Sequence, residues 1–342
     1  MEEKYFAASN SGKGFVSYFG EIFDPECLEH IYIIKGGPGT GKSYFMRMIA
    51  TEAEKKGKNV VYYYCSSDQS SLDGIIIDEK IAFLDGTAPH DTDATIPGAV
   101  EDLIDLGVFW SSEQLSLLRK DIEKLNCEKK RHYKRAYSYL AAYHDISEGA
   151  VKIIEPLIDR EKIKKSIRVL LKDVSRGKGY SQRTAICDSV GMGGRIRFDT
   201  LEKKAEKILR ISDLFDTAHF YLAEVANFAF EKDMAITLSY DPINSERLDS
   251  VYFDNEKILF TACGEEEKDI NMSRFIDKKG LSESRTALKN AMKLRSIMLD
   301  EAILALEDVK KSHFAIEKIY IGAMDFEAKE KFTHDFISRL EL

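Results

Sequence analysis

The run GGPGTGKS, residues 36–43, constrains this chain more than any other stretch. An apolar, strand-like segment, Ile31-Tyr32-Ile33-Ile34, feeds it, and a helical pattern leaves it. Met46, Ile49, Ala50 and Ala53 recur at three- and four-residue spacing, and Gly57 supplies a stop. Glycines let a backbone wrap an anion without Cβ clashes, while the free amides of the loop and first helical turn face that anion. With spacing G-x-x-x-x-G-K-S, a phosphate is expected against Gly36, Gly37, Pro38, Gly39, Thr40 and Gly41, with Tyr44 opening the helix. Lys42 would reach the β- and γ-phosphates, and Ser43 would hold Mg²⁺.

The G-x-P-G-T-G-K-S form resembles the Walker A sequence of AAA+, RecA-like and related P-loop ATPases, over about the first ninety residues. The strand Asn59–Tyr64 follows the P-loop helix directly, as it does in RecA-like ATPases. The resemblance implies a cofactor set of ATP, or GTP, with Mg²⁺.

At 342 residues there is room for two domains. No run of roughly 18 apolar residues exists, and the first residues, MEEKYFAASN, are acidic rather than basic-then-apolar. No membrane span and a cytoplasmic location are therefore expected. A net charge of −8 argues against broad nucleic-acid affinity. Five scattered cysteines without a C-x-x-C pair read as free thiols.

A repeat lies under this surface. Shifting the sequence by 176 places Ile31–Asp78 on Lys207–Asp254 without a gap, with identities such as Ala50/Ala226, Tyr64/Tyr240, Asp73/Asp249 and Asp78/Asp254. SGKGF (11–15) also matches RGKGY (176–180), KKRHY (129–133) matches KKSHF (310–314), and DEKIAF (78–83) matches NEKILF (255–260). The expected organisation is an α/β tandem duplication of P-loop NTPase-type parallel-sheet domains, 1–162 and 163–342, each followed by a long helical arm. Opposite GGPGTGKS stands SDLFDTAH, residues 212–219, with Ser212, Thr217 and Ala218 in place of Gly36, Gly41 and Lys42. Phe215 at a glycine position would block a phosphate. The second copy is thus expected to be degenerate and to pack on the first as a pseudo-dimer. The repeat and the GTAPH run (86–90) also resemble a group of bacterial ATPases with two tandem P-loop-type halves.

The dead copy serves as an internal control, because residues kept in both halves point to structure rather than chemistry. Ile75-Ile76-Ile77-Asp78 reads like a metal-binding strand end, yet its counterpart VYFD keeps the acid. Asp78 therefore reads as a hairpin-turn residue. Asp85 has no acidic counterpart in KILFTAC and is the favoured second metal ligand beside Ser43. Asp68, replaced by Asn244, is a candidate to orient an attacking water, with an Asx turn as the alternative. His90 faces Gly264 in the repeat and is a candidate γ-phosphate or substrate contact. GMGG, 191–194, lacks a strand–helix context and reads as a loop within an insertion.

Residues 111–172 and 282–342 carry helical periodicity, and each is expected to form a helical hairpin. The basic cluster Lys129-Lys130-Arg131 and Lys134-Arg135 reads as a solvated face paired with Asp121, Glu123 and Glu128. The functional expectation is a nucleotide-binding protein acting as a slow or partner-stimulated Mg²⁺-dependent ATPase, with Lys42, Asp68 and Asp85 catalytic. A kinase passing the γ-phosphoryl to a small molecule, and a nucleotide-gated module with negligible turnover, compete with it. The partner, protein or small molecule, is left open.

Overall fold

The apolar runs of the sequence become strands and the periodic runs helices, in a computed structural model that describes residues 2–89, 93–264 and 268–340. The chain begins with β1 (Glu3–Phe6), a hairpin of β2 (Ala8–Ser11) and β3 (Gly14–Ser17), and the short helix α1 (Phe19–Ile22). Next come β4 (His30–Lys35), α2 (Lys42–Lys55), β5 (Val60–Tyr64), β6 (Leu72–Ile77), β7 (Ile81–Asp85) and β8 (Glu101–Asp105). A turn of helix, α3 (Ser112–Leu117), precedes the 36-residue α4 (Arg119–Ile154). Then follow α5 (Arg160–Leu170), β9 (Ser181–Thr184), the hairpin β10 (Asp188–Gly191) and β11 (Gly194–Arg197), and α6 (Thr200–Lys204). The remaining elements are β12 (Lys207–Ser212), α7 (Ala218–Glu231), β13 (Ala235–Tyr240), β14 (Leu248–Phe253), β15 (Ile258–Cys263), the 45-residue α8 (Lys278–Gly322) and α9 (Phe326–Arg339).

Two main sheets result, ordered β1-β5-β6-β7-β4-β8 and β12-β15-β14-β13-β9. Five strands of each follow one scheme: β1-β5-β6-β7-β4 and β9-β13-β14-β15-β12 have the same succession of parallel and antiparallel pairs. The sheets are mixed, which corrects the expectation of parallel ones. β6 runs antiparallel to both neighbours because it is joined to β7 by a three-residue turn, a closure open only to antiparallel strands. In that turn Asp78 and Glu79 sit at φ 51° and 58°. β4, next to the edge strand β8, is flanked by β7 and β8, both parallel to it.

The arms depart from expectation. Each is one long helix rather than a hairpin, and α4 and α8 pack against one another, Arg135 pairing with Asp308 at 2.6 Å. Ala136, Leu140 and Tyr143 of α4 meet Ala302, Ala305, Leu306 and Val309 of α8 in a shared apolar seam. The chain then changes sides. Helix α5 adds Ile163 and Ile167 to the core of the second sheet, against α7. Helix α9 and Leu340 close the core of the first, Phe332 and Phe336 stacking near Phe45 of α2. A cut at 162/163 therefore passes through α5, and residues 326–340 belong with the first sheet.

The small hairpins also cross over. Gly12 N–H donates to Ile243 O at 2.9 Å, and Met192 N–H donates to Ser67 O at 2.7 Å, while Phe6 and Ile186 bridge between them. SGKG turns the hairpin β2–β3 and GMGG the hairpin β10–β11, whereas RGKGY lies ahead of β9. Glycine-rich turns resemble each other by composition wherever they stand in a fold. KKRHY and KKSHF are likewise not at corresponding places. Lys129, Tyr133 and His313 line one and the same cavity. All five cysteines are free, Cys27 and Cys127 being exposed.

In the second sheet, the loop after β12 is filled by charge. Asp216, at φ 61°, is held by Arg295 of α8 and by Arg247, whose other partner is Glu148 of α4. Asp213 accepts from Ala218 N–H at 2.9 Å. Desolvation of its carboxyl, and then the Asp216 charge, raise its pKa, against smaller lowering by that hydrogen bond and Arg295, although the residue as a whole is exposed. Ala218 opens α7 as Lys42 opens α2, so this loop carries Asp213 and Asp216 and has no lysine at that position.

One outcome follows from these contacts. A Cβ on Gly191 would lie 2.3 Å from Ser66 O and 2.6 Å from Ser67 O, so Gly191→Ala should lower stability to urea by about 1–3 kcal/mol.

Candidate functional site

β4 ends at Lys35 between two parallel neighbours, so its C-terminal end opens into the crevice where α/β sheets usually bind ligands. The chain then turns through Gly36 (φ 145°), Gly39 (φ 71°) and Gly41 (φ 82°), a backbone path that L-residues rarely follow. Thr40 Oγ1 donates to Gly37 O at 2.8 Å and closes the loop. Helix α2 begins immediately after Gly41, its first intrahelical bond running from Phe45 N–H to Gly41 O at 2.9 Å. The amides of Lys42, Ser43 and Tyr44 precede that bond and belong to the anion-attracting end of the helix.

Lys42 folds back over the loop. Its Nζ donates to Gly36 O at 2.8 Å and Gly37 O at 3.1 Å, and stands 3.5 Å from Asp85 Oδ2. Asp85 lies at the last position of β7, opposite Ile34 of β4, which is why it arrives at the loop. Its Oδ1 accepts from Thr87 N–H at 2.9 Å and Thr87 Oγ1–H at 2.6 Å. Burial raises its pKa, against the pull of Lys42. Asp78 is at the far end of the same strand, paired with Lys58 at 3.1 Å and accepting from Asn59 N–H at 2.9 Å. Ser43 Oγ accepts from Leu72 N–H at 3.0 Å, which ties the helix start to β6.

A cavity of about 800 Å³ extends from this loop. Its floor is Gly36–Ser43, its sides the β5–β6 connection and Asp85, and its roof α4 and α8. Trp110 and Tyr320 rings lie 3.2 Å from where a Cβ on Gly37 would sit, and Glu317 O lies 2.9 Å from that of Gly39. The loop is thus clasped by the C-terminal end of α8. Met192, from the turn of β10–β11, closes another side.

Asp68 reaches this cavity, held by a serine clamp. Its Oδ1 accepts from Ser70 Oγ–H at 2.7 Å and Ser70 N–H at 3.2 Å, and its Oδ2 from Ser71 Oγ–H at 2.7 Å. Burial acts to raise its pKa, but these donors prevail and lower it. The Asx-type turn and the cavity-facing carboxylate are therefore the same feature. On the roof, burial and the Asp68 charge raise the pKa of Glu317, while burial and Lys129 depress that of His313. Lys129 leaves the solvated face assigned to it and lines the cavity, and burial lowers its pKa. Glu317 and Tyr320 belong to no local motif, and His313 and Met192 stand out in the sequence only within the KKSHF and GMGG runs. Only the packing of α8 and the second hairpin brings them here. Tyr44 is 48% exposed beside the loop, and His90 lies outside the described residues.

The loop suits a phosphate, since a Cβ on Gly36, Gly39 or Gly41 would meet atoms within 3.0 Å. Among the described residues no group of three or more His, Cys, Asp or Glu could hold a metal ion by itself. Ser43 and Asp85 suit Mg²⁺, which keeps waters and phosphate oxygens around one or two protein ligands. Among the described residues no helix is long and apolar enough to cross a membrane.

A family model described as Nephrocystin 3, N-terminal, matches residues 18–76, which span α1 through most of β6 and include the whole glycine loop. No curated protein and no solved structure matches the chain.

Proposed function

We infer that this protein binds a nucleoside triphosphate, ATP or GTP, on Gly36–Ser43 as its Mg²⁺ complex and hydrolyses it slowly or on partner engagement. The observation that carries this reading is the left-handed glycine path around Lys42, with Asp85 delivered to the same ammonium by the adjacent parallel strand. Lys42 leaves two carbonyls and a carboxylate to meet the phosphate oxygens, and the loop amides stabilise the charge that develops there. Ser43 and Asp85 would hold Mg²⁺, which would supply charge neutralisation on the phosphates. Asp68, kept ionised by Ser70 and Ser71, accepts a hydrogen bond from the attacking water and orients it. Glu317 lines the same cavity, and burial and the Asp68 charge make its carboxylate more readily protonated, so it is the candidate acceptor for a proton from that water.

The chain is, on the same reading, a tandem duplication of a P-loop-type domain. The five-strand scheme common to both sheets and the offset of 176 between α2 and α7 support this. Its second copy is degenerate and serves as a pseudo-symmetric partner. Phosphoryl transfer to a small molecule is the second reading. The cavity favours it, because it continues past the loop to polar side chains on both arms.

Calorimetric titration with Mg²⁺–ATP and Mg²⁺–GTP tests the claim. Lys42→Ala should weaken binding at least about 100-fold, about 2.7 kcal/mol, and the absence of binding to the unaltered protein would overturn the reading. Asp85→Asn should remove most of the Mg²⁺ dependence while Asp78→Asn leaves it intact, and the reverse pattern would reassign the metal ligand. Phosphate release without any acceptor distinguishes hydrolysis from transfer.

A further inference from the structure

Helix α9 brings a lysine to the glycine loop from the other end of the sequence. Lys329 is 2% exposed, and its Nζ lies 3.0 Å from where a Cβ on Gly41 would sit. It stands over the Tyr44 ring, 4.4 Å from the centroid. Among the described residues no carboxylate forms an ion pair with it, although Glu330, next in the chain, favours its charge. A buried ammonium without an anion is costly. The nearest structural feature, the start of α2, is itself positive. Two positive groups face one small region.

The other sheet supplies a control. Asp325 N–H donates to Phe109 O at 2.8 Å and Asp159 N–H donates to Phe275 O at 2.8 Å. Bridges Trp110–Met324 and Ile158–Ile276 adjoin those bonds. Asp325 then caps α9 through Ala328 N–H, as Asp159 caps α5 through Lys162 N–H. Helices α9 and α5 are therefore placed alike, one on α2 and one on α7. Four residues beyond each cap stand Lys329 and Ile163, and eight beyond stand Thr333 and Ile167, all buried. Where the loop has Lys42 the covering helix carries lysine and threonine. Where the loop has Ala218 it carries two isoleucines.

We propose that Lys329 is a second phosphate-binding cation of this site, contacting the part of the nucleotide's phosphate chain that leaves the loop over Ser43 and Tyr44. Lys42 and Lys329 then grip the chain from opposite sides of Gly41, Lys329 lying outside the cavity under α4 and α8. The site is complete only when the C-terminal helix is docked on α2. This inference rests on the nucleotide reading above.

The test is titration of the full chain with Mg²⁺–ATP, at a temperature where circular dichroism shows each protein folded. Lys329→Met should bind roughly ten- to a hundredfold more weakly, the loss of one charge-assisted hydrogen bond. Lys329→Arg should stay within a few-fold. Without nucleotide, Lys329→Met should melt no lower than the unaltered protein, since an unpaired buried charge is removed. Equal affinity of Lys329→Met and the unaltered protein would overturn this inference and leave the nucleotide reading standing. Absence of binding by the unaltered protein would overturn both.

Discussion

The contact on which the molecule depends is the apolar seam between α4 and α8. Alanines at 136, 302 and 305 let the two helices approach closely, and Leu140, Leu306 and Val309 fill the space between them. Because the helices run antiparallel, α4 carries the chain from the first sheet to the second and α8 carries it back. Whatever follows each arm must land on the opposite sheet. That is why α5 lies on α7 and α9 on α2.

The exchange has a chemical consequence. A glycine loop at the end of β4 is, in itself, open to solvent on most sides. Here Trp110 from the segment before α3, and Tyr320 and Glu317 from the returning end of α8, clasp it, the β10–β11 turn closes it through Met192, and α9 sets Lys329 beside Gly41. Water exclusion of this kind strengthens every electrostatic interaction at the loop. It also makes the site sensitive to the docking of elements far away in sequence.

Much of the loop was legible beforehand, because each position of GGPGTGKS has a local mechanical reason. The turn character of Asp78 followed from its persistence as Asp254, and the structure puts it in a left-handed turn beside Lys58. Asp85 could be preferred for the same reason, and it stands 3.5 Å from Lys42. The hairpins and arms were not legible. SGKGF and RGKGY share glycines that any tight turn wants, whereas GMGG, which turns the other small hairpin, sets Gly191 against Ser66 and Ser67 carbonyls that leave no space for a Cβ. Strand direction escaped as well, since hydrophobic runs do not encode whether a neighbour is parallel.

Sequence by itself determined the local parts: a strand, a glycine-rich loop and a helix at residues 31–55, and the long amphipathic helices. These depend on interactions within a few residues, where propensity and periodicity decide. Tertiary structure alone decided which helix covers which loop, and so placed Glu317, His313 and Lys329 at a site some 270 to 290 residues away in the chain. Such contacts are selected by how two long apolar faces pack, and that information is spread across the whole seam rather than held in any one motif.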